Sequence, residues 1–262
     1  DDRAAKRAAR EAEEDADEKA KDPKKKGGWK HRGTIFEAKI GALGCMRKIC
    51  KDPTRHDASA GLALGGFFGR NILGLLDVGL EAGWGRVRPD SYSGRNALAL
   101  YGLDPNALVQ AIAEDMGVPS LNVDFSTLTV AAVKSQALHV GPTLRLHVIP
   151  RGRLSAYVGA GIHYQQWRND YTTAGGPLRL NFHGLSLPLT AGLGFYVLRR
   201  LAIGGEFTYV HPFFLGAAVR HPELDTVVPL LLVRDVAKQA GADLDKELPT
   251  FWTVVLSVRV RI

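Results

Sequence analysis

Few residues in this chain have the type and spacing that catalysis requires. His183 and Ser186, with Glu206 across a strand pair, could form a hydrolytic triad in which the histidine activates the serine hydroxyl. The sequence has no HExxH, P-loop, G-x-S-x-G or paired CxxC motif. Gly159-Ala160-Gly161 lacks the third glycine of a dinucleotide site. We therefore predict no catalytic residue and no cofactor, with a lipid-modifying hydrolase or acyltransferase as the alternative.

Three histidines could hold a metal ion or relay a proton. His139, His147 and His163 lie on segments that we predict to be neighbouring strands, with their side chains pointing inward. Histidines that only form hydrogen bonds inside the protein are the simpler interpretation. We predict no metal site.

The two cysteines, Cys45 and Cys50, are five residues apart in a polar segment. An even number of cysteines at short spacing favours a disulfide in an oxidising compartment. A zinc site would need a second pair of cysteines, and only His56 is near. We predict a disulfide between Cys45 and Cys50.

Residues 1–33 differ in composition from the rest of the chain, since 20 of these 33 residues are charged. Such a segment buries almost no apolar surface, so we predict a charged arm or linker. The formal net charge of +7 divides into +2 for this arm and +5 for residues 34–262. Neither part has the charge density of a nucleic-acid binding protein, and we predict no nucleic acid partner.

From Thr34 onward the chain alternates apolar and polar residues with a period of two, which is typical of β-strands. No apolar run approaches the ~20 residues that a membrane-spanning helix needs. The eight alternating segments are Ile35–Leu43, Asp57–Phe68, Ile72–Arg86, Ala137–Val148, Leu154–Trp167, Gly184–Val197, Leu201–Val210 and Phe251–Ile262.

The connections between these segments alternate in length. Three of them have about three or four residues, whereas the others have roughly 13, 50, 16 and 40. Short turns at one end and long loops at the other are typical of bacterial outer-membrane barrels. The pattern predicts an all-β, eight-stranded antiparallel up-and-down transmembrane β-barrel over residues 34–262.

One face of the strands is polar and rich in glycine, which suits a narrow interior. Charges persist in such a lumen only when they are paired, because an unpaired buried charge costs several kcal/mol. Four acids and four bases balance on this face, and we predict that they form a lumen charge network: Glu37, Lys39, Asp77, Glu81, Arg145, Glu206, Arg259 and Arg261.

The other face is a nearly continuous band of Leu, Val, Ile and Ala that we expect to face lipid. Trp84, Tyr209 and Trp252 fall near the long-loop ends of their strands and Phe195 near a short turn, as in an aromatic girdle. The alternative is a soluble lipocalin-like barrel, with the apolar face inside and a small ligand bound there.

The glycine-rich strands resemble those of OmpA-like outer-membrane β-barrel domains. The resemblance is carried by Tyr157-Val158-Gly159-Ala160-Gly161-Ile162-His163-Tyr164, by Leu187-Pro188-Leu189-Thr190-Ala191-Gly192-Leu193-Gly194-Phe195-Tyr196 and by Val140-Gly141-Pro142. It implies a bacterial outer-membrane location and a signal peptide that has been removed before Asp1, but no activity. The family's last residue is usually aromatic, whereas this chain has Ile262. Pro142 and Pro188 each remove a hydrogen-bond donor, so we expect irregular pairing there.

The two longest loops, 87–136 and 212–249, each contain a predicted short helix. One begins at Asp104-Pro105 and ends before Gly117, and the other runs from near Asp225 to Ala240. We expect both helices to pack on the barrel rim, or else to contact a partner or lipid.

The function that we expect is non-enzymatic. The barrel would anchor the chain among outer-membrane lipid and lipopolysaccharide, with its long loops outside the cell as surfaces for a partner. Residues 1–33 would reach a periplasmic protein or the cell wall. Eight strands enclose too little space for a porin-like channel.

Overall fold

The computed structural model describes residues 33–46, 50, 60–87, 94–107, 110, 125–149, 152–221, 224–239, 243–244 and 248–262. The prediction of a charged arm at residues 1–33 therefore falls almost entirely outside the described residues. Among the described residues, no helix has the length and apolar character to cross a membrane. The strands are β1 (Gly33–Cys45), β2 (Gly61–Ile72), β3 (Leu76–Val87), β4 (Val130–His147), β5 (Leu154–Gly161), β6 (His163–Thr173), β7 (Gly176–Leu198), β8 (Leu201–His221), β9 (Leu224–Pro229) and β10 (Phe251–Arg261).

The strands close into a ring in which every described pairing is antiparallel. Strand β1 pairs with β2 on one side and with β10 on the other, where Glu37 lies opposite Arg259. Strands β5 and β6 share one position, because both lie between β4 and β7. The ring thus has eight positions, and β9 pairs with β8 outside it. The predicted eight-stranded barrel is confirmed.

Two prolines flank the break between β5 and β6. Pro142 on β4 lies opposite Ile162, whose N–H donates to the Pro142 carbonyl over 3.1 Å, but proline returns no donor. On β7, Pro188 also lies opposite this break. The paired residues of β5 and β7 end at Leu189, and those of β6 and β7 begin at Ser186, so Pro188 has no partner on β5 or β6. The irregular pairing predicted at both prolines therefore falls at a single point of the barrel wall.

Several strands are longer than the alternation predicted. Strands β6 and β7 meet at a turn of residues 174–175, so the long loop predicted between Trp167 and Gly184 is wrong. The predicted loops 87–136 and 212–249 are also too long, since β4 occupies 130–136 and β8 occupies 212–221.

The polarity of the two faces reverses along these long strands, which is why the predicted ends were wrong. In the lower part of β4, Leu144 faces outward with 52% of its surface exposed, while Arg145 faces inward and is buried. Above this part, Trp167 faces inward and is buried, while Arg168 faces outward. The alternation of outward apolar residues ends at this reversal, so the predicted strands ended there although the actual strands continue.

The lower part has the dimensions of a lipid-facing band. The exposed apolar side chains extend from Leu138 on β4 to Val148, the residue that follows this strand. These ten steps of ~3.4 Å and a strand tilt of ~40° give a height of ~26 Å, close to the ~25 Å of outer-membrane barrels.

The upper part forms a head with its own apolar core. We use the term head for the described residues above the apolar band: the upper ends of β4 and β6 to β8, strand β9, residues 94–103, helix α1 (Leu230–Gln239), residues 243–244 and 248–250, and the first residue of β10. Its core contains Leu100, Tyr101, Trp167, Tyr171, Leu178, Phe182, Phe214, Leu230, Ala237, Leu244 and Phe251. The predicted disulfide joins Cys45 to Cys50 at its edge, and both cysteines are buried there.

The structure describes one of the two predicted loop helices and the beginning of the other. Helix α1 begins at Leu230 rather than near Asp225, because β9 occupies the preceding residues. The other helix begins as predicted, where Asp104 Oδ1 accepts a hydrogen bond of 2.9 Å from the N–H of Asn106. Most of its predicted length, up to Gly117, lies outside the described residues.

Candidate functional site in the barrel lumen

The barrel interior concentrates ionisable side chains that five strands direct inward. Alternation along β1 places Glu37 and Lys39 on the inner face, and the same period places Asp77 and Glu81 there from β3. Arg145 and Glu206 enter from β4 and β8, and β10 adds two arginines. All eight residues of the predicted lumen charge network are buried: Glu37, Lys39, Asp77, Glu81, Arg145, Glu206, Arg259 and Arg261.

Two cations lie at the centre of the network. The Lys39 ammonium group donates to Glu81 over 2.6 Å and to Glu206 over 2.5 Å. The Arg145 guanidinium donates to Glu37 over 2.6 Å and to Glu81 over 3.0 Å, and lies 3.4 Å from Glu206. Each cation thus bridges strands that are not neighbours in the ring, which ties opposite walls together.

Arg259 completes this central group. Its Nη2 and Nε atoms donate to Glu37 Oε2 over 3.0 and 3.2 Å. Three cations then match three carboxylates, and the group is formally neutral. Buried ion pairs are stable only when hydrogen bonds satisfy most of the charged atoms, as they do here.

Sequence reasoning missed the two aromatic residues that complete the network. The ring of Phe67 stacks against Arg145, with its centroid 4.0 Å from the guanidinium carbon. Tyr157 donates its hydroxyl to Glu206 over 2.7 Å and lies between Arg145 and Arg259, at 5.3 and 5.0 Å. An aromatic residue on the polar face of a strand was the available signal, because such a ring faces charges rather than lipid.

A second group lies toward the short turns. His147 contacts Asp77 through Nε2 over 2.7 Å and Ser155 through Nδ1 over 2.9 Å, and Asn71 donates to Asp77 over 2.5 Å. The residue types are those of a hydrolytic triad, but the serine and the carboxylate contact the opposite ring nitrogens to the usual ones. Ser155 is 1% exposed, so no substrate carbonyl can approach its hydroxyl. The group links β2, β3, β4 and β5.

Arg261 is the member of the predicted network that the structure leaves without an ion pair. It is 3% exposed, and none of its three guanidinium nitrogens has a hydrogen-bond partner among the described residues. Within the described part of the chain, its side chain interacts with the ring of Tyr196, whose centroid lies 5.2 Å from the guanidinium carbon. A cation–π contact returns about 0.5–2 kcal/mol, which is less than the several kcal/mol that burial of a charge costs.

Replacing Arg261 with methionine is expected to raise the free energy of unfolding, by on the order of 1 kcal/mol. Methionine keeps much of the side-chain length and removes the unpaired charge. Urea unfolding in detergent micelles, followed by the gel mobility of folded and unfolded chains, measures the change. The matched variant Arg259→Met should do the opposite, because it leaves Glu37, Glu81 and Glu206 with only Lys39 and Arg145. A loss of stability in both variants would mean that Arg261 has a partner.

The interior histidines form a smaller contact above the central group. The rings of His139 and His163 stack with centroids 5.3 Å apart, and His163 Nε2 lies 2.8 Å from the Thr143 hydroxyl. Gly83 and Gly141 give these rings their space, since a Cβ at either position would strike a histidine ring. Within the described residues, no group of three or more His, Cys, Asp or Glu side chains has the geometry of a metal site.

The triad imagined from sequence is not assembled. Ser186 faces inward on β7 and lies 3.4 Å from Gln165, whereas His183 is three residues away and faces outward. Glu206 is held by Lys39. Residues an odd number apart on a strand point to opposite faces, so these side chains cannot meet.

The four aromatic residues predicted as a girdle lie on the outer face. Trp84 and Tyr209 are half-buried toward the long-loop end, as is Trp252, and Phe195 is 50% exposed near the turn that joins β7 to β8. The edges of the apolar band carry further aromatic residues that sequence reasoning did not select, such as Tyr164 and Phe213 at the long-loop edge.

A charged row crosses the outer face of the head, above the apolar band. Asp170 on β6 lies between Lys134 on β4 and Arg179 on β7, and Arg220 on β8 follows. Asp170 accepts hydrogen bonds from Arg179 Nε over 2.6 Å and from Arg168 Nε over 2.9 Å. Burial raises the pKa of the Asp170 carboxyl, but these arginines outweigh it and hold the pKa below the ordinary 3.8.

The pKa of Asp170 gives a pH dependence with a defined sign. A lowered pKa means that the carboxylate contributes stability above pH 3.8, and this contribution is lost as the pH falls through the lower native value. Carbon-13 NMR of the carboxyl group is expected to show a midpoint below 3.8. In Arg168→Gln/Arg179→Gln the midpoint should rise toward 3.8, although Lys134 and Arg220 remain. An unchanged midpoint would mean that these arginines do not hold the carboxylate.

The fold of this chain matches solved outer-membrane barrels. A major outer membrane protein from Thermus thermophilus matches with a TM-score of 0.51 at 13% identity, over 87% of this chain and 99% of that one. Neisserial surface protein A (NspA) matches with a TM-score of 0.45 at 9% identity, over 88% and 97%. OprG from Pseudomonas aeruginosa matches with a TM-score of 0.45 at 11% identity, over 89% and 99%. No protein-family model and no curated protein sequence matches the chain.

At these identities the likeness concerns the fold, and the surface of the molecule agrees with it. The outer face of the ring is an apolar band of membrane thickness, while the charges are sealed inside. Three short turns lie at one end of the strands, and the long connections lie at the other end together with the turn at 174–175. The chain is an eight-stranded β-barrel of the bacterial outer membrane.

Proposed function

We propose that this chain is a non-enzymatic outer-membrane protein whose barrel anchors a structured head, and that the head binds a partner outside the cell. The proposal rests on one observation: the barrel interior changes from polar to apolar along the strands. A polar network fills the lumen within the apolar band, and an apolar core around Trp167 fills the head above it. The head is therefore a fixed surface built on strands rather than a set of loops.

The filled lumen supports an anchor rather than a channel. Lys39 and Arg145 cross the interior, and their side chains are 4% and 0% exposed. Barrels of eight strands hold side chains inside and no continuous water column. The outward His183 and the buried Ser155 support no hydrolytic site on this barrel.

The proposed partners follow from the orientation of the barrel. The long-loop end, which includes the described parts of residues 87–136 and 212–249, would face the medium. Residues 1–33 would extend from β1 into the periplasm, toward a periplasmic protein or the cell wall. Outer-membrane lipid and lipopolysaccharide would surround the apolar band, and we propose no nucleic acid partner.

Cysteine labelling of the full chain in intact cells tests the orientation. Ala174 lies in the turn between β6 and β7, at the tip of the head, and Arg199 lies in a short turn at the opposite end. The only native cysteines form a disulfide, so an added cysteine is the single free thiol. Ala174→Cys should react with a membrane-impermeant maleimide, and Arg199→Cys only after the outer membrane is opened. The reverse pattern would overturn the proposal.

Two further measurements on the full chain separate an anchor from a channel and from an enzyme. In planar bilayers the chain should produce no stepwise ion conductance. In vesicles with lipopolysaccharide, the lipid mass spectrum should remain unchanged over hours. A steady conductance would mean that the lumen opens, and a loss or gain of an acyl chain would establish the lipid-modifying alternative.

A further inference from the structure

The outward face of the head carries a group of cations at a defined height above the lipid band. The upper edge of the band is a row of paired residues that contains Tyr164, Leu185 and Phe213. Arg168 is four residues above Tyr164 on β6, so ~14 Å along the strand and ~10 Å along the barrel axis at a tilt of ~40°. This is the height of the lipid head groups next to the barrel.

The cations exceed the carboxylates on this face. In the described register, Lys134, Arg168, Arg179 and Arg220 stand on the adjacent strands β4, β6, β7 and β8, around Asp170. Among the described side chains of these two rows on the four strands, four cations face one carboxylate. An anion next to the membrane is therefore attracted to this part of the head.

Asp170 holds two of the arginines in a fixed position and leaves their ends available. All three hydrogen bonds to Asp170 use the Nε atoms of Arg168 and Arg179. Their terminal Nη groups have no hydrogen bond within the described part of the chain, and the two side chains are 38% and 41% exposed. Guanidinium groups that are fixed in this way present paired N–H donors, which suit the oxygens of a phosphate group.

A concavity lies between these arginines. Its volume is about 280 Å³, and its lining consists of Gln166, Arg168, Arg179, Asn181, Ala218 and Arg220. Three of the six lining residues are arginines, and the smallest is Ala218.

From this geometry we infer that the concavity binds the phosphorylated head group of a lipid in the outer leaflet. Arg168 and Arg179 contact a phosphate group through their Nη atoms, and Arg220 lies beside it. The acyl chains of the same lipid lie against Tyr164 and Leu185 below. The assignment of this lipid to the outer leaflet rests on the orientation given in the proposed function. The assignment of the binding residues does not depend on that orientation.

The test uses the full chain in detergent, with lipid A as the probe and dephosphorylated lipid A as the control lipid. Native mass spectrometry measures the fraction of chains that retain one lipid at a series of concentrations. Wild type should bind lipid A at least tenfold more tightly than the dephosphorylated form. Arg168→Gln/Arg179→Gln should lose about tenfold or more in affinity, while Arg199→Gln, on an exposed turn at the opposite end, should not change it. The gel mobility of unheated and boiled samples checks that each variant is folded.

Two further measurements distinguish a specific lipid site from general electrostatic attraction. Asp170→Asn makes the head more positive but no longer holds Arg168 and Arg179 in place. A specific site should therefore bind lipid A more weakly in this variant, whereas non-specific attraction would make binding tighter. Inorganic phosphate at millimolar concentration should not displace lipid A. Unchanged affinity in the double variant, tighter binding in Asp170→Asn, or displacement by free phosphate would each overturn the inference. Affinity measured in detergent does not depend on which side of the membrane the head faces. The lipid-binding result and the labelling test of orientation can therefore fail independently of each other.

Discussion

Replacing Arg145 with methionine is expected to lower the free energy of unfolding by about 3–5 kcal/mol, which is the cost of removing one partner from a buried ion pair. Arg145 contacts Glu37, Glu81 and Glu206, so its loss leaves three carboxylates with only Lys39 and Arg259. The network would carry a net negative charge in a lumen closed to water. Urea unfolding in detergent micelles, followed by gel mobility, measures the change.

Two controls show whether this effect comes from the network. Arg199→Met, on an exposed turn, should leave the unfolding midpoint unchanged. Combining Arg145→Met with Glu37→Gln removes one cation and one carboxylate, and should recover part of the lost stability in a double-mutant cycle. If the two losses simply add, Arg145 and Glu37 are not coupled and the network as described is wrong.

Replacing Trp167 with alanine is expected to destabilise the head by about 3–5 kcal/mol, as for other buried tryptophans. Trp167 packs against Phe182 and Phe214 at ring distances of 5.2 and 6.3 Å and donates its indole N–H to Ser135 over 2.9 Å. Alanine leaves a cavity and removes one of the two hydrogen bonds of the Ser135 hydroxyl, which still donates to Asn169. Hydrogen exchange of amides in residues 167–182 should accelerate by about two to three and a half orders of magnitude, since 1.4 kcal/mol corresponds to a factor of ten.

The same variant should leave the transmembrane part intact. The gel mobility of unheated Trp167→Ala should remain that of a folded barrel, because the charge network lies below the cavity. Trp84→Ala is the matched control: Trp84 is half-buried at the edge of the apolar band, and its loss should not alter exchange in the head. Equal acceleration throughout the barrel would mean that head and barrel unfold as one unit.

The sequence was sufficient to predict the strands wherever apolar residues face outward and polar residues face inward along their whole length. In residues 137–148 every second residue is apolar and faces outward, so the pattern alone predicted both the strand and its inner face. Pro142 and Pro188 could be interpreted from the sequence alone, because a residue without an N–H donor interrupts the hydrogen bonding of any sheet. The inward position of the eight ionisable residues follows from the same alternation.

The same rule failed in residues 168–183, because the lipid that enforces it ends at Tyr164. Above that level the outer face meets water, and the inward residues become Tyr171, Leu178 and Phe182. The sequence also did not show that Arg261 lacks an ion pair among the described residues. Alternation determines which face a side chain is on, but not which side chains it meets across the lumen. Contacts such as that of Tyr157 with Glu206 depend on the stagger between strands, which no single segment encodes.

The reversal of polarity along the strands restricts how this protein can change in length. Deleting one residue from β6 between Tyr164 and Trp167 would turn every later side chain to the other face. Trp167 would then face water, and Arg168 would enter the apolar core. The tolerant positions are the turn at 174–175 and the point where β8 already has an extra residue opposite His183 and Gly184. Natural insertions and deletions in homologous chains are expected at these two places and not within the strands between them.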